Sequence, residues 1–302
     1  MNRNILVIGD AILDETVVAD VVGTSLETPT LKTEYKSSNI HFGGASNVVE
    51  NMVALGAKVT YMTVLGNDSY LTNYQSFNSD KLDLVYETQE IPNTVKTRIW
   101  VQTSNSSYKY LQINRGQRII NNQSTLNKLL SRLDLTQKYD CAVLVDYSRG
   151  LLDTPENAEI IINKLREFGC PIIVSSQLSS NCNNYPLFKG VDYMCMNDVE
   201  AKENYQSFDK SHSSVERLSE ILKTNACVTL GKDGFVFYNN GQIIKESAYP
   251  IRTIDTVGAG DAFLAAFSVY INDDLRMCNK WAALSTTKLG TETPHLSELY
   301  EL

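Results

Sequence analysis

Residues 254–267 read IDTVGAGDAFLAAF. Three small residues, Gly258-Ala259-Gly260, precede Asp261, and an apolar helical stretch starts there. Glycine lets a backbone come close to a ligand, and the start of a helix presents N–H groups that lack an intrahelical acceptor. Such a place suits a phosphate or a developing anion. A carboxylate is a poor phosphate ligand, but beside an anion hole it serves as a base that takes a proton from a hydroxyl attacking phosphorus. The stretch therefore predicts phosphoryl transfer, with Asp261 as base and Gly258, Ala259 and Gly260 as the anion hole. Taken alone it is also compatible with a plain turn before a helix. It is not a dinucleotide fingerprint, because Gly-x-Gly-x-x-Gly fails at Phe263, and the chain has no Gly-x-x-x-x-Gly-Lys-Ser/Thr loop.

Outward from this turn, short apolar runs alternate with amphipathic stretches. Residues 5–9, 58–66, 141–146, 171–176 and 226–231 read as strands. Residues 45–56, 124–133, 156–169 and 212–223 read as helices, with Gly56 and Gly169 as stops. Near-continuous apolar strands between helices predict an α/β fold: a mostly parallel sheet flanked by helices on both faces. Asn239-Asn240-Gly241 marks a hairpin within 234–247, so the sheet gains an antiparallel edge. Two segments break the rhythm. Residues 15–38, rich in Val and Thr and interrupted by Gly23 and Pro29, stand where a helix is due. Residues 94–116 carry two β-like runs around Ser104-Asn105-Ser106-Ser107. Together they predict a small β-sheet lid near the carboxyl ends of the main strands, where α/β ligand sites lie. Residues 1–302 are expected to form a single domain with that lid.

Composition removes several function classes. A net charge of -8 without a Lys/Arg block longer than two residues argues against nucleic acid as a partner. No apolar run approaches the roughly 18 residues of a membrane span, and MNRNILVIGD reads as a first strand, not a signal peptide. The six cysteines are scattered without a Cys-x-x-Cys pair, as expected of reduced thiols in a cytoplasmic protein. Three histidines without paired spacing argue against structural zinc.

DTVGAGDAFLAA (255–266) and FGGASNVVENMVALGA (42–57) resemble the two signatures of the ribokinase-like (PfkB) carbohydrate kinases. GDAILDETVVADVVGTSLETPTL (9–31), VKTRIWV (95–101), VDYSRG (145–150) and KLGTETP (288–294) are similar to the kinase domain of bacterial heptose-7-phosphate kinases. The resemblance covers essentially the whole chain. It implies a Rossmann-like core with a β lid, ATP as donor and Mg²⁺ as helper. It assigns the base to Asp261 and sugar hydroxyls to Asp14, Gly43, Gly44 and Asn47. Asn197 and Glu200 match the Asn-x-x-Glu that helps place Mg²⁺ and phosphate, and their spacing is read as one helical face. Thr229, Gly231, Gly234 and Asn279 match nucleotide-binding positions, and Asp255 and Gly290 match loops that bind a monovalent cation such as K⁺. Lys96, Arg98 and Arg149 are candidates for the phosphate of a sugar phosphate.

Two departures stand out. Ser175-Ser176-Gln177 replaces the Asp-Pro-Lys or Asp-Pro-Asn that relatives often carry, which puts substrate preference and rate in doubt. No nucleotidyltransferase module follows, so a separate protein is expected to supply that step. Family lid sheets often pair between subunits, so a homodimer through the lid is expected. A kinase for a free hexose, nucleoside or modified sugar, and a kinase-like binder without turnover, remain as alternatives.

Overall fold

A computed structural model describes residues 3–77, 79–120, 122–178 and 182–302. The main sheet has nine strands: β1 (Asn4–Gly9), β4 (Lys58–Gly66), β5 (Leu82–Gln89), β8 (Cys141–Asp146), β9 (Ile172–Ser176), β10 (Tyr193–Asn197), β11 (Asn225–Thr229), β12 (Phe235–Asn239) and β13 (Gln242–Glu246). A second sheet holds β2 (Ala11–Thr24), β3 (Leu31–Gly44), β6 (Val95–Gln102) and β7 (Ser107–Arg115). The main order is β13-β12-β11-β10-β9-β8-β1-β4-β5, parallel from β11 to β5. β12 and β13 close it as the expected antiparallel hairpin, with Asn240 and Gly241 both at positive φ in the turn.

The apolar runs are continuous because both faces of the sheet are covered. Along β1, Leu6 and Ile8 point into one core, with α3 (Asn122–Leu130), α4 (Pro155–Arg166), α5 (Asp198–Asn204) and α6 (His212–Leu222). Ile5 and Val7 point into the other, with α1 (Ala45–Ala54), α7 (Ala259–Tyr270), α8 (Arg276–Ser285) and α9 (Leu296–Glu301). A short α2 (Leu71–Gln75) packs Tyr74 beside the base of the second sheet. Helix α4 starts as its sequence dictates: Thr154 caps Asn157 N–H, Pro155 takes the first turn, and Lys164 and Arg166 sit in the last. α7 is buried from Ala262 to Tyr270, which makes it a rigid mount for its first turn.

The strand order reverses direction between β1 and β8: β4 and β5 lie on one side of β1, β8 to β11 on the other. Ligand sites in open α/β sheets form beyond the carboxyl ends at such a crevice. The second sheet leaves from there. Its order is β3-β2-β6-β7, with β2 and β6 parallel and both outer pairs antiparallel. It occupies the segments that broke the sequence rhythm but begins earlier, at Ala11, and runs later, to Gly44. Gly23 sits at a register shift in β2 and does not end the strand. All six cysteines are free.

Candidate active site

Asp261 is the third residue of α7, and Gly258, in left-handed conformation, is its N-cap. A side chain at 258 would run 2.9 Å from Asn47 Nδ2, so glycine is needed for fit as well as for φ. Ala262 N–H is taken into the helix by Gly258 O, and Ala259 N–H bonds Thr256 O. The Gly260 and Asp261 amides have no backbone acceptor among the described residues. Gly258, Gly260 and Asp261 face a cavity of about 300 Å³ at the carboxyl ends of β8 to β11. Ala259 lies in the same turn.

Both carboxylate oxygens of Asp261 are held. Asn47 Nδ2 donates to Oδ2 at 2.9 Å and the Tyr147 hydroxyl to Oδ1 at 2.6 Å. The Asn47 amide is itself oriented, because Asn51 Nδ2 donates to its Oδ1 and Trp281 Nε1 donates to Asn51 Oδ1. Asp261 keeps an opening to the cavity, yet its carboxyl is packed among protein groups. That burial pushes it up to about 6; Tyr147 and Asn47 pull it down, Asp14 pushes it up and Lys96 pulls it down.

The second sheet brings Asp14, Lys96 and Arg98 to the same place. Arg98 and Asp14, both buried, form an ion pair. Arg98, a candidate for the phosphate of a sugar phosphate, is thus charge-matched by Asp14, as burial of two ions requires. Gly43 packs on the Asp14 carboxylate, where a Cβ would collide with Oδ2, and Gly44 caps α1 against Asp10 O. The Lys96 ammonium lies 4.7 Å from the Tyr147 ring centre and donates to Gln177 Oε1 at 3.3 Å; burial lowers its pKa. The Arg149 amide donates to Asp10 Oδ2, and its side chain borders a small recess beside Asp10 and Thr94.

Asn197 and Glu200 line the cavity, but not as one helical face: Asn197 is the N-cap of α5 and Glu200 its third residue, joined as a capping box. Tyr185 OH also donates to Glu200, and burial raises the Glu200 pKa. Thr229 is in the cavity wall, whereas Gly231, Gly234 and Asn279 lie outside it, with Asn279 tied to Ser247 O. Asp255 and Gly290 come together, since Gly290 N–H donates to Asp255 Oδ2 at 3.2 Å. Lys109 of β7 stands 3.9 Å from Asp255 Oδ1. Ser175, Ser176 and Gln177 line the cavity, and Ser176 donates to Asp146 Oδ2.

Three residues escaped the sequence reading. Tyr147 touches the candidate base, Asp10 pins the loop after β8 through Tyr147 N–H and Arg149 N–H, and Asn51 orients Asn47. Tyr147 lay inside VDYSRG, where Arg149 drew attention by its charge.

Comparison with known proteins identifies the family and the fold. The pfkB family carbohydrate kinase pattern matches residues 2–298. The bifunctional protein HldE of Bradyrhizobium diazoefficiens is 28% identical over 98% of this chain and 62% of its own length. HldE of Aliarcobacter butzleri is 26% identical over 99% and 64%. The chain thus spans less than two thirds of these curated relatives. Among solved structures, Escherichia coli phosphofructokinase-2 in complex with substrates and products superposes with a TM-score of 0.81 at 15% identity, covering 100% of this chain and 98% of that one. A Thermotoga maritima ribokinase gives 0.69 at 18% identity, covering 99% and 98%. These similarities establish the ribokinase-like fold.

Proposed function

Because the chain belongs to the pfkB family of carbohydrate kinases, we propose that it transfers the γ-phosphoryl group of ATP to a hydroxyl of a sugar phosphate, with heptose 7-phosphate as the leading acceptor. The observation that carries this is Asp261: a carboxylate near pKa 6, held by two donors, opening on a cavity beside unpaired helix-start amides. Such a group is ionised at neutral pH yet basic enough to take a proton as an alcohol attacks. Asp14, Gly43, Gly44 and Asn47 would bind the sugar hydroxyls. The amides of Gly258 to Asp261 would stabilise charge on the transferred group. Lys96 and Arg149 are the cations left for the acceptor's phosphate, since Arg98 is matched to Asp14.

ATP is read as the second substrate, reached by Thr229 in the wall and by Gly231, Gly234 and Asn279 beyond it. Mg²⁺ bound to its phosphates would offset their charge during transfer. Among the described residues no cluster of three or more His, Cys, Asp or Glu could hold a metal ion, which suits an ion held mainly by phosphate and water. Asn197 and Glu200 are the side chains assigned to placing it. For a monovalent cation such as K⁺, Asp255 and Gly290 are the proposed loop, and the buried Thr291 hydroxyl, without a hydrogen-bond partner among the described residues, fits that polar setting.

Residues 1–302 are proposed to act as one catalytic domain, with the second sheet as its lid. The exposed β3 and β7 strands support a homodimer through that sheet. A phosphate placed at an anomeric hydroxyl would suit nucleotidyl transfer by a separate chain. No helix among the described residues is long and apolar enough to cross a membrane; a cytoplasmic site of action is part of the proposal.

The test is phosphoryl transfer from labelled ATP to purified sugar phosphates, heptose 7-phosphate among them. Transfer is expected; none to any of them, from folded protein that binds ATP, rejects the reading. If a free sugar or nucleoside is the acceptor instead, charge removal at Lys96 or Arg149 leaves its KM unchanged.

A further inference from the structure

We propose that Tyr147 is a positioning residue for the base: its hydroxyl, 2.6 Å from Oδ1, locks the Asp261 carboxylate and stabilises its anion, leaving the remaining lone pairs toward the cavity. This rests on Asp261 being the base. An aspartate carboxylate turns easily about its last bond, so one donor leaves it free to swing. Here Asn47 comes from α1 and Tyr147 from the loop after β8, one to each oxygen, and the plane is fixed. Phenol donation to a carboxylate is a strong, charge-assisted bond.

Tyr147 is placed for this role. Its own N–H and that of Arg149 donate to Asp10 Oδ2, at 2.7 and 3.1 Å, and Ser148 N–H donates to Asp146 Oδ1 at 2.9 Å. Two buried carboxylates at the ends of β1 and β8 thus grip the loop on both sides, with Ser148 at φ 55° between them. From the second sheet, the Lys96 ammonium lies against the ring. Burial and Asp261 push the ionisation of the phenol well above the usual range, so it keeps its proton and donates it in the bond to Asp261.

Several charged groups face this pair. Asp14 comes from β2, Lys96 and Arg98 from β6, Arg149 from the loop after β8, and Glu200 from α5, with Asp10 and Asp146 behind the loop. Burial and Asp14 favour the neutral acid of Asp261; Tyr147, Asn47 and Lys96 favour the anion. Removing the phenol therefore raises the pKa, and the acid limb of kcat moves to higher pH.

The experiment titrates Asp261 by carbon-13 shift in aspartate-labelled, substrate-free protein, with the resonance identified by its loss in Asp261→Asn. The parent midpoint is expected at about 6. Tyr147→Phe is expected to lie roughly one pH unit higher, and 3-fluorotyrosine at 147, a stronger donor of nearly the same shape, lower than the parent. The acid limb of kcat should follow the same order, and Tyr147→Phe should recover toward the parent rate at alkaline pH. Should Tyr147→Phe fail to fold, the fluorotyrosine shift decides. Midpoints that stay together while Asp261→Asn abolishes transfer overturn this inference alone. Midpoints that move without any transfer by the parent overturn the function and this inference with it.

Discussion

The two sheets of this protein do opposite work. In the main sheet β1, β4 and β8 are buried almost residue by residue, with helices on both faces. In the second sheet β7 is exposed throughout and β3 is exposed along most of its length until Gly43 and Gly44, which are buried, while the inner pair, β2 and β6, carries most of the buried residues. Yet Asp14, Lys96 and Arg98 all come from that inner pair, whereas the main sheet and its helices supply Asp261, Asn47 and Tyr147. Stability is concentrated in one sheet, and the site is assembled where the other folds over it. A group on a thinly packed element can move with a substrate; Asp261 and the glycine turn before it sit at the head of α7, which is buried along most of its length.

That division can be broken by substitution. Asp261→Asn keeps the shape of α7 and removes the proposed proton acceptor, so kcat should fall by about 10²–10⁴-fold with the melting temperature not lowered, because burial of the ionised carboxyl already costs stability at neutral pH. Comparable falls in both would mean the residue is structural. Phe267→Ala, in the same helix but facing the core, should do the reverse and cost about 3–5 kcal/mol in chemical denaturation while catalysis by the folded fraction persists. Phe267 is fully buried.

Arg98→Met tests the join between the sheets. It leaves the Asp14 carboxylate buried without its partner, a loss of about 3–5 kcal/mol for buried pairs, and should raise the sugar KM. Asp14→Asn added to Arg98→Met should recover stability but not binding. If the single variant is as stable as the parent, the pair is not what holds β2 to β6.

Asp10 gives a pH-dependent comparison. Burial, then Asp146, push it up to about 7. The folded protein therefore keeps a proton that the unfolded chain releases in the ordinary carboxylate range, so this residue costs stability as pH rises through that interval to about 7. Asp10→Asn cannot ionise. Its melting-temperature advantage over the parent should grow across that window and level off above it; a constant gap would contradict the argument. The smallest effect is expected at the exposed edge. Leu111→Ser with Ile113→Ser on β7 should leave thermal stability nearly unchanged, yet weaken a dimer built on that sheet, as read by sedimentation at micromolar concentration.

Much of this was legible in residue order. Continuous apolar runs identified the buried parallel strands, Asn-Gly the edge hairpin, and the Val- and Thr-rich breaks the second sheet. Boundaries shifted where local pattern competed with pairing. β2 starts at Ala11 because it pairs with Gly44 across the molecule, and Gly23 is absorbed as a register shift. The Asn197–Glu200 spacing was visible, but its geometry as a capping box was not, because cap and helical face share the same interval of three.

Local sequence specified the strands, the glycine turn and the acid at the head of α7, because each depends on residues adjacent in the chain. Only packing in three dimensions settled which charges cancel and which groups touch Asp261. Arg98 meets Asp14 across 84 residues and Tyr147 meets Asp261 across 114. Contacts that distant leave no periodicity to read; they exist because burial makes an unpaired ion or hydroxyl costly, and the fold must find each one a partner.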